Sequence, residues 1–504
     1  MDEQIREHEA VIANLKRARN SLLNVFKLPP EVLGKIFLWN VTLGDDFDGL
    51  EEESHNFLLV CHHWFEVASC TPELWSFWGN TLEDWARWHH RSGTAPLDLV
   101  LGVDSDSHPF DVTLRNVLRD RATRDTIRRI HLKSKYSTLL NSIISSLTAS
   151  SKEPRPSSVE SFMLRFDHDS YSPVDISDFF AHHRFPKLQR VVLYNCGISS
   201  WDLITLHAPV LTTLDLDFNY VESAPSLSQL LSILSYPTLR KVSLVRGWKV
   251  PGDCERDPTP QVSLRHLKEL KLGGDPRQVF ELLHRLDNLG HVDNLEIALD
   301  PDVSEDFSHI IGPYLRDYLR HRSKPRSGLG LSLSSGSCIE LHIGDVGGID
   351  FFAPVSARMD AFMAITIDYW IKPPKDLLDQ SIRNLITHVP REEIVHLRVH
   401  GKPLAVEDLS TQLPNLRGVH FEGTPLPAAF PTPNLGTGGE IFPSLQYVLL
   451  DWVVVDKGDW GPLKTFLDHR VSSGNQLHTL VIAGSYHISP SVWQSLKKVV
   501  KAFR

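Results

Sequence analysis

Apolar residues recur along this chain in two periods, and the change of period marks where one architecture gives way to another. Over residues 5–26, Val11, Leu15, Ala18, Leu22 and Phe26 fall at helical steps amid Glu, Lys and Arg, the pattern of an amphipathic helix. Arg19 interrupts the stripe, so the helix is expected to pack on the next domain, with a self-associating coil as the alternative. Two prolines open the next stripe, LPPEVLGKIF with Val32, Leu33, Ile36, Phe37 and Val41, because proline at a first helical position forfeits no hydrogen bond. After the acidic stretch GDDFDGLEEE, Ser54 is the N-cap expected for a second helix through SHNFLLVCHHWFEVAS, with Phe57, Cys61, Trp64 and Ala68 on one face. Thr71-Pro72-Glu73 starts a short third helix leading into Leu74 and Trp75. Thr81-Leu82-Glu83-Asp84 starts a fourth, with Trp85 and Trp88 one helical step apart and Gly93 as its end.

Beyond Pro96 the period shortens to two. Leu97, Leu99 and Leu101 alternate as in a strand, and a frame of large apolar residues, L-x-x-L-x-L, then recurs. It stands at Ile127/Ile130/Leu132, Val159/Phe162/Leu164, Leu188/Val191/Leu193, Leu211/Leu214/Leu216 and Leu239/Val242/Leu244, then at Leu264/Leu267 running into Leu267/Leu270/Leu272, and at Val292/Leu295/Ile297. Later copies are Phe362/Ile365/Ile367, Ile394/Leu397/Val399, Leu416/Val419/Phe421, Leu445/Val448/Leu450 and Leu477/Leu480/Ile482. Most neighbours lie roughly 22 to 32 residues apart, about the interval of leucine-rich repeats. A unit so patterned offers one short strand whose inward side chains are buried only by stacking on its neighbours. The expected class is α/β: an irregular leucine-rich-repeat-like solenoid of parallel strands with helical or irregular returns over residues 96–504, an ordinary α/β sheet being the alternative.

Helical spacing marks the returns at residues 175–183, 227–234, 276–286 and 376–388. Over residues 300–360 the frame falters, and GLGLSLSSGSCIELHI reads as two strands joined by a Gly/Ser turn, a hairpin or insertion. At the turn where a regular repeat carries Asn or Cys, Cys196 and Asn219 conform, whereas Gly247, Asp275, Thr424 and Val453 do not. Residues 150–158 and 424–440 are Pro/Gly/Ser-rich and read as surface loops. Ser489-Pro490 opens a final helix over residues 490–504, with Trp493, Leu496, Val500 and Phe503 on one side, expected to cap the array rather than lie on a membrane.

Composition narrows the function classes. A chain of 504 residues with 41% hydrophobic and 23% charged residues is globular and too long for one compact domain. A formal net charge of -10 argues against a nucleic-acid partner. The polar, acidic MDEQIREHEA start and the lack of a long apolar run argue against a leader or membrane span, so cytoplasm and/or nucleus is the expected location. Five scattered cysteines without C-x-x-C predict neither a disulfide framework nor a zinc site. Phosphate-loop, dinucleotide, nucleophile-elbow and H-E-x-x-H motifs do not occur, so neither enzyme chemistry, metal nor cofactor is expected.

Leu28-Pro29-Pro30-Glu31-Val32-Leu33 with Ile36-Phe37, then Leu59-Val60-Cys61 and Trp64, then Leu74-Trp75, follow the order L-P-x-E with a hydrophobic pair, V-C-x-x-W, L-W. Residues 28–78 thereby resemble the F-box, and with the helical preamble of residues 1–27 and the later SGTAPLDLVL segment the chain looks most similar to the expanded F-box families of mushroom-forming (basidiomycete) fungi. The long acidic connection and His62-His63, where basic residues are often found, depart from the pattern. The resemblance implies a three-helix module that binds a Skp-type adaptor, and through it a cullin, in an SCF ubiquitin ligase. It places Leu28, Pro29, Glu31, Val32, Leu33, Ile36, Phe37, Leu59, Val60, Trp64, Leu74 and Trp75 at the adaptor contact, with residues 79–95 as a linking helix. The repetitive region would then hold an unknown target protein, making the chain a non-catalytic substrate receptor. Its candidate target contacts are the outward strand residues Tyr194, Asp215, Asp217, Lys241, Lys271, Arg398, His400, His420, Glu422 and Asp451. An adaptor-binding scaffold without a ubiquitination role, and a leucine-rich-repeat ligand sensor, are the alternatives.

Overall fold

A computed structural model of the chain describes residues 1–42, 52–78, 91–103, 118, 120–148, 155–167, 174–218, 224–246, 248, 261–300, 308–321, 329–335, 338–345, 361–368, 375–401, 409, 412–430, 442–455, 459–484 and 488–503. They fall into two compact units, Met1–Pro225 and Ser226–Arg504.

The first unit opens with helices α1 (Asp2–Ser21), α2 (Pro30–Thr42) and α3 (His62–Ser69). Helix α2 starts where the proline pair predicts, the Pro29 carbonyl accepting from Val32 N at 3.0 Å and Leu33 N at 3.1 Å. Helix α1 buries no side chain, correcting the packing expected for it: an extended Leu23 and a 3-10 turn over Asn24–Lys27 end the helix and leave its stripe in solvent. The second helix is not continuous. A 3-10 segment, Glu52–Leu59, precedes α3, and Cys61 between them is extended, so Cys61 rather than Ser54 holds the N-cap position of α3. A single helix would set Phe57 and Trp64 about 10 Å apart along its axis. The break instead lets both rings close on Phe37, at 4.7 and 5.1 Å between centroids. Pro72 opens a 3-10 turn, Pro72–Trp75, as expected, but the Thr71 hydroxyl donates to the Val67 carbonyl at 2.8 Å instead of capping it. Leu33, Phe37, Phe57, Val67, Ala68, Leu74 and Trp75 form the buried core of this module. The expected fourth helix, with Trp85 and Trp88, lies outside the described residues, although Gly93 has the left-handed φ of +55° suited to a helix end.

Strands β1 (Phe77–Trp78), β2 (Leu97–Val103), β3 (Ile127–Ser134), β4 (Ser161–Phe166), β5 (Arg190–Tyr194) and β6 (Thr213–Asp217) come next, each parallel to its successor. The register aligns the frames, so that Ile130, Phe162, Val191 and Leu214 form one apolar row and Leu132, Leu164, Leu193 and Leu216 the next. The returns carry α4 (Arg121–Thr126), α5 (Ser137–Thr148), α6 (Ser177–His182) and α7 (Asp202–His207). Frame residues face these helices: Phe162 stacks on Phe179 of α6 at 4.7 Å. Two-residue parallel pairings, Arg155–Pro156 with His183–Arg184 and Val174–Asp175 with Cys196–Gly197, tie the returns together, so part of the expected 150–158 loop is strand.

The second unit contains β7 (Lys241–Val245), β8 (Glu269–Gly274), β9 (Asn294–Leu299), β10 (Leu329–Ser335), β11 (Cys338–Asp345), β12 (Ala361–Asp368), β13 (Ile394–Gly401), β14 (Gly418–Glu422), β15 (Tyr447–Asp451), β16 (Thr479–Ala483) and β17 (Ala502–Phe503). Its sheet runs β7-β8-β9-β12-β11-β10-β13-β14-β15-β16-β17. Every pairing is parallel except those of β11, antiparallel to both β10 and β12. A short connection can join antiparallel strands but not parallel ones, and β10 and β11 pair antiparallel as a hairpin that reverses the strand order locally. Helices α8 (Leu227–Leu234), α9 (Pro276–His284), α10 (Ser308–His321), α11 (Lys375–Thr387), α12 (Leu426–Ala429), α13 (Gly461–Ser472) and α14 (Pro490–Val499) lie between strands. Serine and aspartate start three of them: Ser226 in a reciprocal capping box with Gln229, Asp275 before Pro276, and Ser489 before Pro490. The final helix ends sooner than predicted. Val500 is extended, and Ala502–Phe503 pair with β16 as an edge strand, completing the backbone hydrogen bonds of Leu477 and His478.

Among described side chains, every frame residue is buried except Ile482, which is half-buried. Strand ends share a second device. Asn195, Arg246, Gly274, Gly423, Trp452 and Gly484 all have positive φ where the chain leaves a strand, a conformation that is free for glycine and costs other residues about 1 kcal/mol. One position later, Cys196 lies buried with its thiol donating to the Tyr194 carbonyl at 3.1 Å, and Thr424 repeats the contact from its hydroxyl to Glu422 O at 3.2 Å and Val399 O at 3.4 Å. Thr424 thus does the work expected of Asn or Cys, whereas Asp275 caps α9, Val453 is simply buried, and Asn219 and Gly247 are outside the described residues.

Among the described residues, Arg470 of α13 is the one charged residue among the largest fully buried side chains, its guanidinium donating to Phe442 O at 2.7 Å and Leu445 O at 2.8 Å. Arg470→Met is expected to cost about 2–4 kcal/mol, because two charge-assisted hydrogen bonds to buried carbonyls are lost at once, Phe442 O keeping only its bond from Leu445 N. Arg470→Lys recovers little of this, since an ammonium lacks the planar fork. Urea unfolding of the three chains measures the difference.

Candidate functional site

Two kinds of surface stand out, an apolar helical face on the N-terminal module and the polar sheet face of each unit. On the N-terminal module, α2 turns Leu33 and Phe37 into the core and leaves Val32, Ile36 and Trp39 outward, at 41%, 47% and 75% exposure. Steps of four and three place these three on one helical face. Leu59 and Val60 add apolar surface at 86% and 57% exposure, at the end of the 3-10 segment where the chain straightens before α3. Pro29 and Glu31 are exposed, and Leu28 and Trp64 half-buried. Leu33, Phe37, Leu74 and Trp75 are not available for the contact the resemblance assigns them; they are core, and they set the shape of the surface above. Trp39 lies outside the expected set, although its position seven residues after Val32 carries the signal.

The second surface is the sheet face opposite the apolar rows. In the first unit Tyr194 donates from its hydroxyl to Asp215 at 3.1 Å, and Asp217 is the register partner of Tyr194. Burial and then the Asp215 charge push the Tyr194 hydroxyl up to about 12. In the second unit Lys241 pairs with Glu269 and Lys271 with Glu296, each at 2.7 Å, so both cations are engaged along the sheet in exposed pairs of small energetic value.

A denser group spans β13, β14 and β15. Register sets Arg398 beside His420, and His400 beside Glu422 and then Asp451. Arg398 donates to Glu422 from Nε at 3.0 Å and Nη2 at 2.5 Å, His400 Nδ1 is 3.5 Å from the same carboxylate, and His420 Nε2 is 3.9 Å from Asp451. Asp451, expected to face outward, is 3% exposed because these neighbours cover it. Burial first and Glu422 second raise its carboxyl above the ordinary range. Burial would raise Glu422 too, but the Arg398 hydrogen bond and charge hold it low. The arrangement offers a paired guanidinium and carboxylate beside an imidazole that burial keeps neutral.

Burial pushes His396 and His420 down to about 4, helped by Arg417 and Arg398 respectively. Unfolded, both bind protons below about 6.5, whereas folded they stay neutral to about 4. Their stabilising effect is therefore full above about pH 6.5 and is lost as the pH falls towards 4. Asp451, shifted the other way, offsets part of this. Urea midpoints are expected to drop by the equivalent of about 1–2 kcal/mol per imidazole between about pH 7 and pH 5, and by less in His420→Gln.

Among the described residues, no cluster of His, Cys, Asp and Glu is arranged to hold a metal ion, and no helix is long and apolar enough to cross a membrane. Compared with protein-family models and with curated proteins, the chain matches none.

Proposed function

We propose that the chain is an F-box substrate receptor of an SCF-type ubiquitin ligase, non-catalytic itself, acting in the cytoplasm and/or nucleus. The observation that carries the reading is the outward apolar face of Val32, Ile36 and Trp39, with Leu59 and Val60, on a small module whose own core is already closed beneath it. Exposed apolar surface of this kind has a cost in water and is found where a partner covers it. Its position in a segment with the L-P-x-E, V-C-x-x-W and L-W order makes a Skp-type adaptor the partner, bringing a cullin with it. The remainder serves as an irregular leucine-rich-repeat-like solenoid. Strands paired mostly in chain order, a positive φ after successive strands and short pairings between returns support that reading. Such an array presents target contacts, Arg398, His400, His420 and Glu422 foremost, near the ligase and raises the effective concentration of the target. Recovery of the full chain from cells tests this: a cullin should accompany the adaptor, and a target should accumulate when the chain is lost. Adaptor recovered without cullin contradicts the receptor role.

A further inference from the structure

Helix α1 carries an apolar face that its own chain leaves bare, with Ile5, Val11, Ile12, Leu15 and Leu22 all half exposed or more. The face is ordered as a seam. Ile5, Ile12 and Arg19 are seven residues apart, His8, Leu15 and Leu22 likewise, and the two series are offset by three, the spacing by which one helix inserts side chains into another. We propose that α1 pairs antiparallel with α1 of a second copy of this chain, joining two chains into a dimer. The inference stands independently of the adaptor reading.

The sequence of the seam selects both occupant and direction. In an antiparallel pair Ile5 meets Leu22 of the second copy, and Ile12 meets Leu15. Each copy supplies both members, so four of the six layers are wholly apolar, and His8 faces Arg19 in the other two. A parallel pair would set Arg19 against Arg19, like charges at the centre of a contact. The flanks agree. Glu9 and Lys16 border the seam on one side, and the antiparallel arrangement brings Glu9 of each copy beside Lys16 of the other. Val11 and Ala18 border it on the other side and meet each other, extending the apolar contact. A parallel pair would put Glu9 beside Gln4 and Lys16 beside Val11, with no opposite charges joined. Helix α1, with 20 residues, spans about 30 Å, enough for all six layers to be used.

Sedimentation of the full chain tests the proposal. Wild type is expected to reach twice the monomer mass at tens of micromolar. Leu15→Glu, at an exposed position where the fold does not depend on leucine, should raise the dimer dissociation constant about 100-fold or more with unchanged circular dichroism. Glu9→Lys should raise it several-fold, and adding Lys16→Glu to that variant should restore it, because the exchanged charges meet again across the pair. A wild-type chain that stays monomeric at about 100 µM overturns the proposal. So does a dimer that Leu15→Glu leaves intact, which would place the contact elsewhere, or one indifferent to Glu9→Lys, which would rule out the antiparallel direction.

Discussion

Leu214→Asp is expected to remove about 5 kcal/mol or more of stability, while Asp215→Asn, one residue along, costs well under about 1 kcal/mol. Leu214 is fully buried, in register with Val191 of β5, and a carboxylate there meets only apolar neighbours. The loss of the leucine side chain and the burial of an unpaired charge add together. Asp215 is on the opposite face, where its carboxylate accepts from Tyr194, and an amide oxygen can accept the same bond. Removing the Asp215 charge also takes away one cause of the raised Tyr194 hydroxyl, so that tyrosine should titrate lower in the variant. Thermal melts and a spectrophotometric pH titration measure both effects. Equal melting shifts for the two variants would contradict the alternation on which the whole sheet depends.

Trp75→Ala has the second largest expected effect, about 3–5 kcal/mol. The ring fills the middle of the N-terminal core, its Nε1 donates to the Ala68 carbonyl at 2.8 Å, and the Arg91 guanidinium lies 4.4 Å from its centroid. Alanine leaves a cavity, removes one of the donors to the Ala68 carbonyl, which keeps its bond from Thr71 N at 3.1 Å, and removes a cation–π contact together. Trp75→Phe keeps most of the volume and is expected to cost clearly less. Urea unfolding followed by near-ultraviolet circular dichroism separates the two, and an unchanged midpoint for Trp75→Ala would show that the module does not depend on this core.

The strands were legible because the L-x-x-L-x-L frame ties burial to alternation, and Ile130, Phe162, Val191 and Leu214 line up across four strands as that rule requires. Alternation does not say which strand is the neighbour, so the exchange of order among β10, β11 and β12 was not readable beyond a hairpin. The break at Cys61 was hidden for a different reason. Phe57, Cys61, Trp64 and Ala68 suit a continuous helix locally, and only the convergence of two rings on Phe37 decides against it. At Asp451 the outward phase was right and the exposure wrong, because cover on that face comes from His420 and Glu422 on the next strand. The N-terminal module shows the same limit. Its helical stripes identify apolar residues, but the sorting of Leu33 and Phe37 inward from Val32, Ile36 and Trp39 outward depends on which side the other helices occupy.

The most direct test of the adaptor reading is calorimetric titration of a purified Skp-type adaptor into the full chain and into Val32→Ala/Ile36→Ala/Trp39→Ala. The three side chains are exposed, so the variant should melt with the wild type, while loss of this apolar area should weaken binding about 30-fold or more. Micromolar or tighter binding by the wild type, lost in the variant with an unchanged melt, is the predicted result. A wild-type chain that binds no adaptor, or a variant that binds as tightly as the wild type, would contradict it.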